Sequence, residues 1–142
     1  MLRPTAKWAP LVLRIVLGVI LIFAGYSKIF EPAVFVEIVK NMAGNYLPAF
    51  FVNAYGYALP YVELITGIFL VLGLFTRLTG TVVALMFVSF IIGVSVASPD
   101  LTLFMDPGAK VIPNKDFAFL GMALALVLTG GGAWAVDNKM KW

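Results

Sequence analysis

The sequence predicts an all-α membrane protein, a four-transmembrane-helix bundle with a short interfacial helix between spans one and two. Of its 142 residues, 62% are hydrophobic and only 12% are charged, whereas soluble domains carry about 25% charged residues. A mean hydropathy of +1.02 leaves too little polar surface to cover a water-soluble globule. Four apolar runs are each long enough to cross a hydrocarbon core of about 30 Å, and we interpret them as one transmembrane domain over residues 1–142.

The first predicted span covers residues 8–30 and is interrupted only by Arg14, Ser27 and Lys28. A signal peptide is the rival interpretation, because basic residues precede the run. The run is longer than the apolar region of a usual signal peptide, and no small-residue cleavage pattern follows it. A retained transmembrane helix is therefore the favoured interpretation.

Residues 32–43 show a different pattern, which begins with Pro32 in a position that suits a first helical turn. Apolar residues recur at helical spacing, with polar residues on the opposite face. This pattern predicts a short amphipathic helix in the membrane interface, and an ordinary packed loop helix fits equally well. If the helix lies outward, its apolar residues are candidates for contact with another subunit: Phe35, Ile38, Val39 and Met42.

The remaining predicted spans cover residues 52–75, 78–97 and 117–136, and a proline-rich loop separates the last two. Four spans place both termini on one side of the membrane. That side would hold five of the ten Lys and Arg residues in its tails and turn, against four on the opposite side. The excess favours cytoplasmic termini in a multi-pass protein.

Composition also limits the chemistry. Without Cys and His, the chain offers no thiolate, disulfide or imidazole, and no metal site is predicted. A redox cofactor would have to be diffusible, such as a quinone, or belong to a partner. The basic residues are scattered, so nucleic-acid binding is not expected.

Ionisable residues and glycines share faces of the first two predicted spans. At 100° per residue, one stripe of the first span carries Arg14, Gly18, Gly25 and Lys28, and a stripe of the second carries Glu63, Gly67 and Arg77. A charge at mid-membrane costs about 2.5–3.5 kcal/mol, so such groups face the interior and pair. We therefore expect a buried charge cluster of four residues: Arg14, Lys28, Glu63 and Arg77.

Glu63 has two candidate partners, because Arg14 lies roughly 10 Å deeper in antiparallel helices and Lys28 roughly 10 Å shallower. The pair either locks two helices together or forms a polar site, which a second protein could also complete. In such a site, Glu63 is the candidate proton acceptor, hence the candidate catalytic residue, and three tyrosines are candidate ligand contacts: Tyr26, Tyr57 and Tyr61. The same tyrosines also suit an interfacial aromatic belt.

Several segments together resemble a known family. The first span contains RIVLG at 14–18 and GYSK at 25–28; the second contains ELITG at 63–67, followed by LGLFTR at 72–77; GGGAWAVD closes the chain at 130–137. In this order they resemble the DoxX family of small prokaryotic membrane proteins. Ala24 stands where many members have His.

The resemblance implies a membrane subunit associated with a redox complex in the prokaryotic cytoplasmic (inner) membrane. Such a subunit contacts quinone, other membrane or periplasmic subunits carry the electrons, and this chain is an accessory subunit rather than an enzyme alone. A non-catalytic scaffold or assembly subunit is the alternative from another class, and the lack of Cys and His favours it. A small transporter comes last, because one copy encloses little volume and no inverted repeat is visible.

Overall fold

The computed structural model describes residues 4–97 and 114–139. Within these ranges the chain forms five α-helices and no strand. The helices are α1 (Trp8–Phe30), α2 (Pro32–Ala43), α3 (Ala49–Leu72), α4 (Thr76–Ala97) and α5 (Lys115–Thr129). One short 3₁₀ turn, Pro4–Lys7, precedes α1, and another, Val136–Asn138, lies after α5. The all-α prediction is confirmed for the part of the chain that is described.

Three helices are long and apolar enough to cross a membrane: α1, α3 and the part of α4 that covers Thr76–Gly93. The chain is therefore a multi-pass membrane protein. Helix α5 has 15 residues, a length of about 22 Å, which falls short of a hydrocarbon core of about 30 Å. The structure thus supports three of the four predicted spans, and most of the predicted proline-rich loop lies outside the described residues.

Two helices end earlier than their predicted spans, and glycine explains both ends. Helix α3 stops at Leu72 because Gly73 adopts a left-handed conformation, with φ of +68°, which glycine tolerates at a helix end. Helix α5 stops at Thr129 because Gly130 has a φ of +76°. The segment after Gly130, predicted as helix up to residue 136, instead turns back toward the start of α1.

Helices α1 and α3 form the most extensive helix pair in the part of the chain that the structure describes, and they run antiparallel. Gly18 lies against Gly67, and Gly25 lies against the backbone at Pro60. A Cβ atom on Gly18 would approach the Gly67 carbonyl oxygen to 2.8 Å. Glycine on both faces lets the two backbones approach closely, so the two predicted stripes do meet.

The other helices complete the core around this pair. Helix α2 lies on α3 and α4, where Val36 packs on Gly56, and α5 packs along α4, where Gly80 lies near Ala123. Buried apolar side chains from α1, α3, α4 and α5 form one cluster that includes Leu17, Leu70, Val83, Phe87 and Leu126. The cluster lies alongside a cavity that α2 covers.

Candidate functional site

A cavity of about 800 Å³ lies between α2 and the four other helices. Its wall is mostly apolar, and six aromatic side chains contribute to it: Phe35, Tyr46, Tyr55, Phe87, Phe90 and Phe119. A cavity of this size, with an apolar wall and few polar groups, is typical of sites for small molecules. Four charged residues also line it, namely Lys28, Glu63, Lys115 and Asp116.

Lys28 and Glu63 form an ion pair in the cavity wall. The Lys28 Nζ atom lies 2.5 Å from one carboxylate oxygen of Glu63 and 2.7 Å from the other. The Glu63 side chain is 2% exposed and that of Lys28 is 25% exposed, so the ammonium group is the more accessible partner. Nζ also lies 4.9 Å from the ring centre of Phe35 and 5.7 Å from that of Phe90. These distances suit cation–π contacts, which add to the attraction.

The structure therefore selects Lys28 as the partner of Glu63, a choice that the sequence leaves open. Arg14 is only 1% exposed, and its hydrogen bonds go to backbone. It donates to the carbonyl oxygen of Ala133 at 2.7 Å and to that of Val71 at 3.3 Å. Its Nε atom is buried and makes no hydrogen bond. Arg14 and Glu63 consequently belong to two separate polar centres.

The C-terminal segment supplies the surroundings of Arg14. The Ala133 amide donates to the Lys7 carbonyl oxygen, and the Trp134 ring meets the Trp8 ring at a centroid distance of 5.2 Å. Gly73 leaves room for the Arg14 guanidinium, because any side chain at that position would overlap it. We name the arrangement of Arg14 with residues 130–138 and the α3–α4 turn the Arg14 centre.

The prediction of one buried charge cluster is wrong in two respects. Arg14 is separated from the Lys28–Glu63 pair, and Arg77 is exposed at the start of α4. The physical reason for the second error is the early end of α3, which places Arg77 on the next helix and out of phase with Glu63.

Asp137 is a structurally important residue that the stripe pattern missed. Its carboxylate oxygens accept hydrogen bonds from the Phe75 and Thr76 amides at 2.6 and 2.8 Å. These are amides at the first turn of α4, where helices leave donors without partners. An acidic residue far along the chain therefore caps this helix, and only the tertiary fold brings it there.

The three tyrosines predicted as ligand contacts do not line the cavity. Tyr26, Tyr57 and Tyr61 are each more than half exposed. Tyr26 lies two positions before Lys28, and Tyr61 lies two positions before Glu63. Each of these two tyrosines therefore points about 200° away from the charged residue on its helix. Tyr55 and Tyr46 line the cavity instead. Tyr55 lies about 80° from Glu63 around α3, a signal that helical phase could have provided.

The apolar face of α2 also contributes to the cavity. Phe35, Ile38, Val39 and Met42 all line the cavity, while Ile38 also stays 45% exposed, so this face covers the cavity and its contact with another subunit stays a prediction. Apolar side chains of α2 that cover the space beside α3 and α4 are removed from water, which favours this packing.

The cavity offers an unusual combination of groups for a membrane interior. Its lining residues carry two ammonium groups, two carboxylates and the hydroxyls of Tyr46, Tyr55 and Ser89 beside an apolar wall. Such a site can donate and accept hydrogen bonds to a polar head while it encloses an apolar body. No group of three or more acidic residues that could hold a metal ion occurs within residues 4–97 and 114–139.

Comparison with known proteins gives one finding. Residues 6–102 match the family model described as "Methylamine utilisation protein MauE", a stretch that includes α1 to α4 and thus Lys28 and Glu63. No curated protein and no solved structure matches the chain. The resemblance to the DoxX family is wrong, because the matching family is a different one. Both are families of small membrane proteins, a likeness too general to separate them.

Proposed function

Because the chain belongs to the MauE family, we propose that it is an accessory membrane subunit of a redox system for methylamine utilisation. In this proposal the cavity holds the head of a small amphipathic molecule, with a quinone as the first candidate. The observation that carries the proposal is the Lys28–Glu63 pair in the wall of a largely apolar cavity of about 800 Å³. Ionisable groups are costly inside a membrane and commonly serve a function there.

The donors and acceptors of the pair suit a quinone head. A lysine ammonium has three hydrogens, and the two oxygens of Glu63 account for two of them. The third is available to a carbonyl oxygen of the ligand. A reduced head group carries hydroxyls instead, and these can donate to Glu63 or Asp116. Phe35 and Phe90 flank the ammonium and provide flat apolar surfaces for a ring.

In this proposal the role is accessory because the chain lacks the Cys and His side chains that form thiol pairs or hold most redox metals. It contains no Cys and no His, so electrons that reach a quinone in the cavity come from partner subunits. The part assigned to this chain is to bind the head group, exclude water from it and hold a proton acceptor beside it at Glu63.

A binding measurement tests the proposal. The purified chain in lipid nanodiscs is titrated with decylubiquinone, with Glu63→Gln and Lys28→Met as variants. Glu37→Gln is the matched control, because Glu37 is exposed on α2 and does not line the cavity. We expect at least a tenfold loss of affinity, about 1.4 kcal/mol, in both cavity variants and less than a twofold change in the control. Equal affinity in all four proteins would contradict the proposal and favour the scaffold alternative, in which the pair only ties α1 to α3.

We extend the proposal to the topology: α5 and the segment after it complete a four-span bundle, with both termini in the cytoplasm. The packing of α5 along α4 supports this arrangement. Since the chain has no Cys, single cysteines at Lys7 and Lys139 can be labelled from either side of the membrane. Labelling of both from the cytoplasmic side is the expected result, and labelling from opposite sides would overturn it.

A further inference from the structure

A second, smaller cavity of about 320 Å³ forms a groove on the outer surface between α3 and α4. Side chains of α3 such as Ala58 and Val62 line one side, and Val82 and Leu85 of α4 line the other. Leu85 is 65% exposed, so the groove opens on the surface that faces lipid. Its wall is almost wholly apolar, which suits contact with acyl chains.

Two residues belong to both cavities. Tyr55 of α3 and Ser89 of α4 line the groove and also the large cavity, so they stand between the two spaces. The Tyr55 hydroxyl and the Ser89 hydroxyl lie 2.6 Å apart. Ser89 has one hydroxyl hydrogen, which is donated to the Met86 carbonyl oxygen. Tyr55 is therefore the donor of the hydrogen bond that joins α3 to α4 here.

The contact between Tyr55 and Ser89 is a weak barrier between the two cavities. The Tyr55–Ser89 hydrogen bond spans it, and side-chain hydrogen bonds between membrane helices contribute little on average. Tyr55 lines the groove and is 37% exposed, so its side chain is not enclosed on all sides. Because both residues line both cavities, this contact is the place where a passage between the two spaces would open.

We propose that the ligand of the large cavity arrives sideways from the bilayer through this groove, with Tyr55 and Ser89 as its gate. The ligand class is therefore a membrane-dissolved amphipathic molecule whose polar head passes the gate to reach Lys28 and Glu63. The inference rests on the proposed function, and it adds the source and the route of the ligand.

A kinetic experiment separates the route from binding itself. Gly93→Trp supplies a reporter, because Gly93 lines the cavity and a Cβ there meets no atom within 4 Å. Proteoliposomes with this substitution are mixed with decylubiquinone, and the quench that appears only with the reporter gives the rate of arrival. Ala58→Phe plugs the groove, and Ile68→Phe is the matched control on the lipid-facing surface of the same helix, outside the groove.

We expect Ala58→Phe to slow arrival at least tenfold while its equilibrium affinity stays within threefold of the unplugged protein. Tyr55→Phe, which removes the hydrogen bond and keeps the ring, speeds arrival severalfold, and Ile68→Phe changes neither quantity. Unchanged arrival in both groove variants, with affinity intact, would overturn the route and leave the proposed function standing. No specific quench in the unplugged protein would overturn both.

A reversible chemical cross-link across the gate provides a second test. Because the chain has no Cys, Tyr55→Cys and Ser89→Cys together introduce the sole thiols. A tyrosine hydroxyl reaches well beyond a cysteine sulfur, so a short reducible bis-thiosulfonate reagent is used to bridge the pair. Arrival that stops after bridging and returns after reduction supports the gate. Arrival that is as fast in the bridged protein as in the reduced one contradicts it.

Discussion

The two cations of α1 lie on one face of the same helix, yet they have opposite surroundings. The Arg14 side chain is buried and donates hydrogen bonds to the backbone carbonyl oxygens of Val71 and Ala133. Lys28 is partly exposed in a cavity and pairs with the side chain of Glu63. The first arrangement joins three parts of the chain, and the second borders a space large enough for a ligand.

The kind of partner distinguishes a buried charge that stabilises the fold from one that can bind a ligand. Carbonyl oxygens of the backbone have fixed positions, so the bonds of Arg14 hold α1, the end of α3 and the C-terminal segment together. A carboxylate in a cavity can exchange one partner for another, so the Lys28–Glu63 pair can admit a ligand.

Arg14→Met should have the largest effect on stability. The substitution leaves buried carbonyl oxygens without donors, and each buried unsatisfied group costs about 1–3 kcal/mol. We expect a loss of about 3 kcal/mol in the free energy of unfolding, measured by denaturant titration in detergent micelles. A loss below about 1 kcal/mol would mean that the Arg14 centre does not hold the three segments together.

Gly25→Ala should disturb the contact on which both centres depend. A Cβ at Gly25 would come within 2.5 Å of the Pro60 carbonyl oxygen and 2.8 Å of the Leu64 amide nitrogen, and both are backbone atoms of α3. Overpacking of this kind costs about 1–3 kcal/mol. Gly93→Ala is the matched control, because a Cβ there meets no atom within 4 Å, and its unfolding free energy should not fall. Equal losses in both variants would argue against close packing of α1 on α3.

Asp137→Ala should weaken the Arg14 centre without changing the cavity. It removes the acceptor for the Phe75 and Thr76 amides, and loss of a helix cap costs about 1 kcal/mol. The same assay should show this loss, together with faster proteolysis after Gly130 and unchanged affinity for decylubiquinone. A large drop in affinity would show that the two centres are coupled.

Arg77→Gln should have the smallest effect, below about 0.5 kcal/mol, since exposed charges contribute little. Arg77 is exposed at the start of α4, although its position in the sequence suggested a place in the charge cluster. A loss of unfolding free energy as large as that of Arg14→Met would show that Arg77 stabilises the fold as a member of the charge cluster would.

Helical periodicity was sufficient for the parts of the fold that stay helical. The bounds of α1 and α2 coincide with residues 8–30 and 32–43, and the glycine stripes of α1 and α3 meet. Periodicity also placed Lys28 within reach of Glu63. These features depend on spacing along one helix, which a sequence displays directly.

The remaining features depend on where the chain leaves the helix. One hydrogen-bond acceptor of Arg14 is a carbonyl oxygen in the segment that folds back after Gly130. Side-chain patterns in a sequence do not predict which backbone carbonyl oxygen accepts such a bond. The early end of α3 at Gly73 moved Arg77 out of phase. The cavity residues Tyr55 and Ser89 lie on different helices, so their contact follows from packing and not from spacing.

Two variants separate the ligand site from the Arg14 centre when each is titrated with decylubiquinone in nanodiscs and its unfolding is followed on the same samples. Glu63→Gln should lose at least tenfold in affinity with only a small loss of stability. Arg14→Lys, which cannot serve both carbonyl oxygens equally well, should lose stability and keep its affinity within twofold. The reverse pattern, with affinity lost in Arg14→Lys and kept in Glu63→Gln, would contradict the assignment of one centre to structure and the other to the ligand.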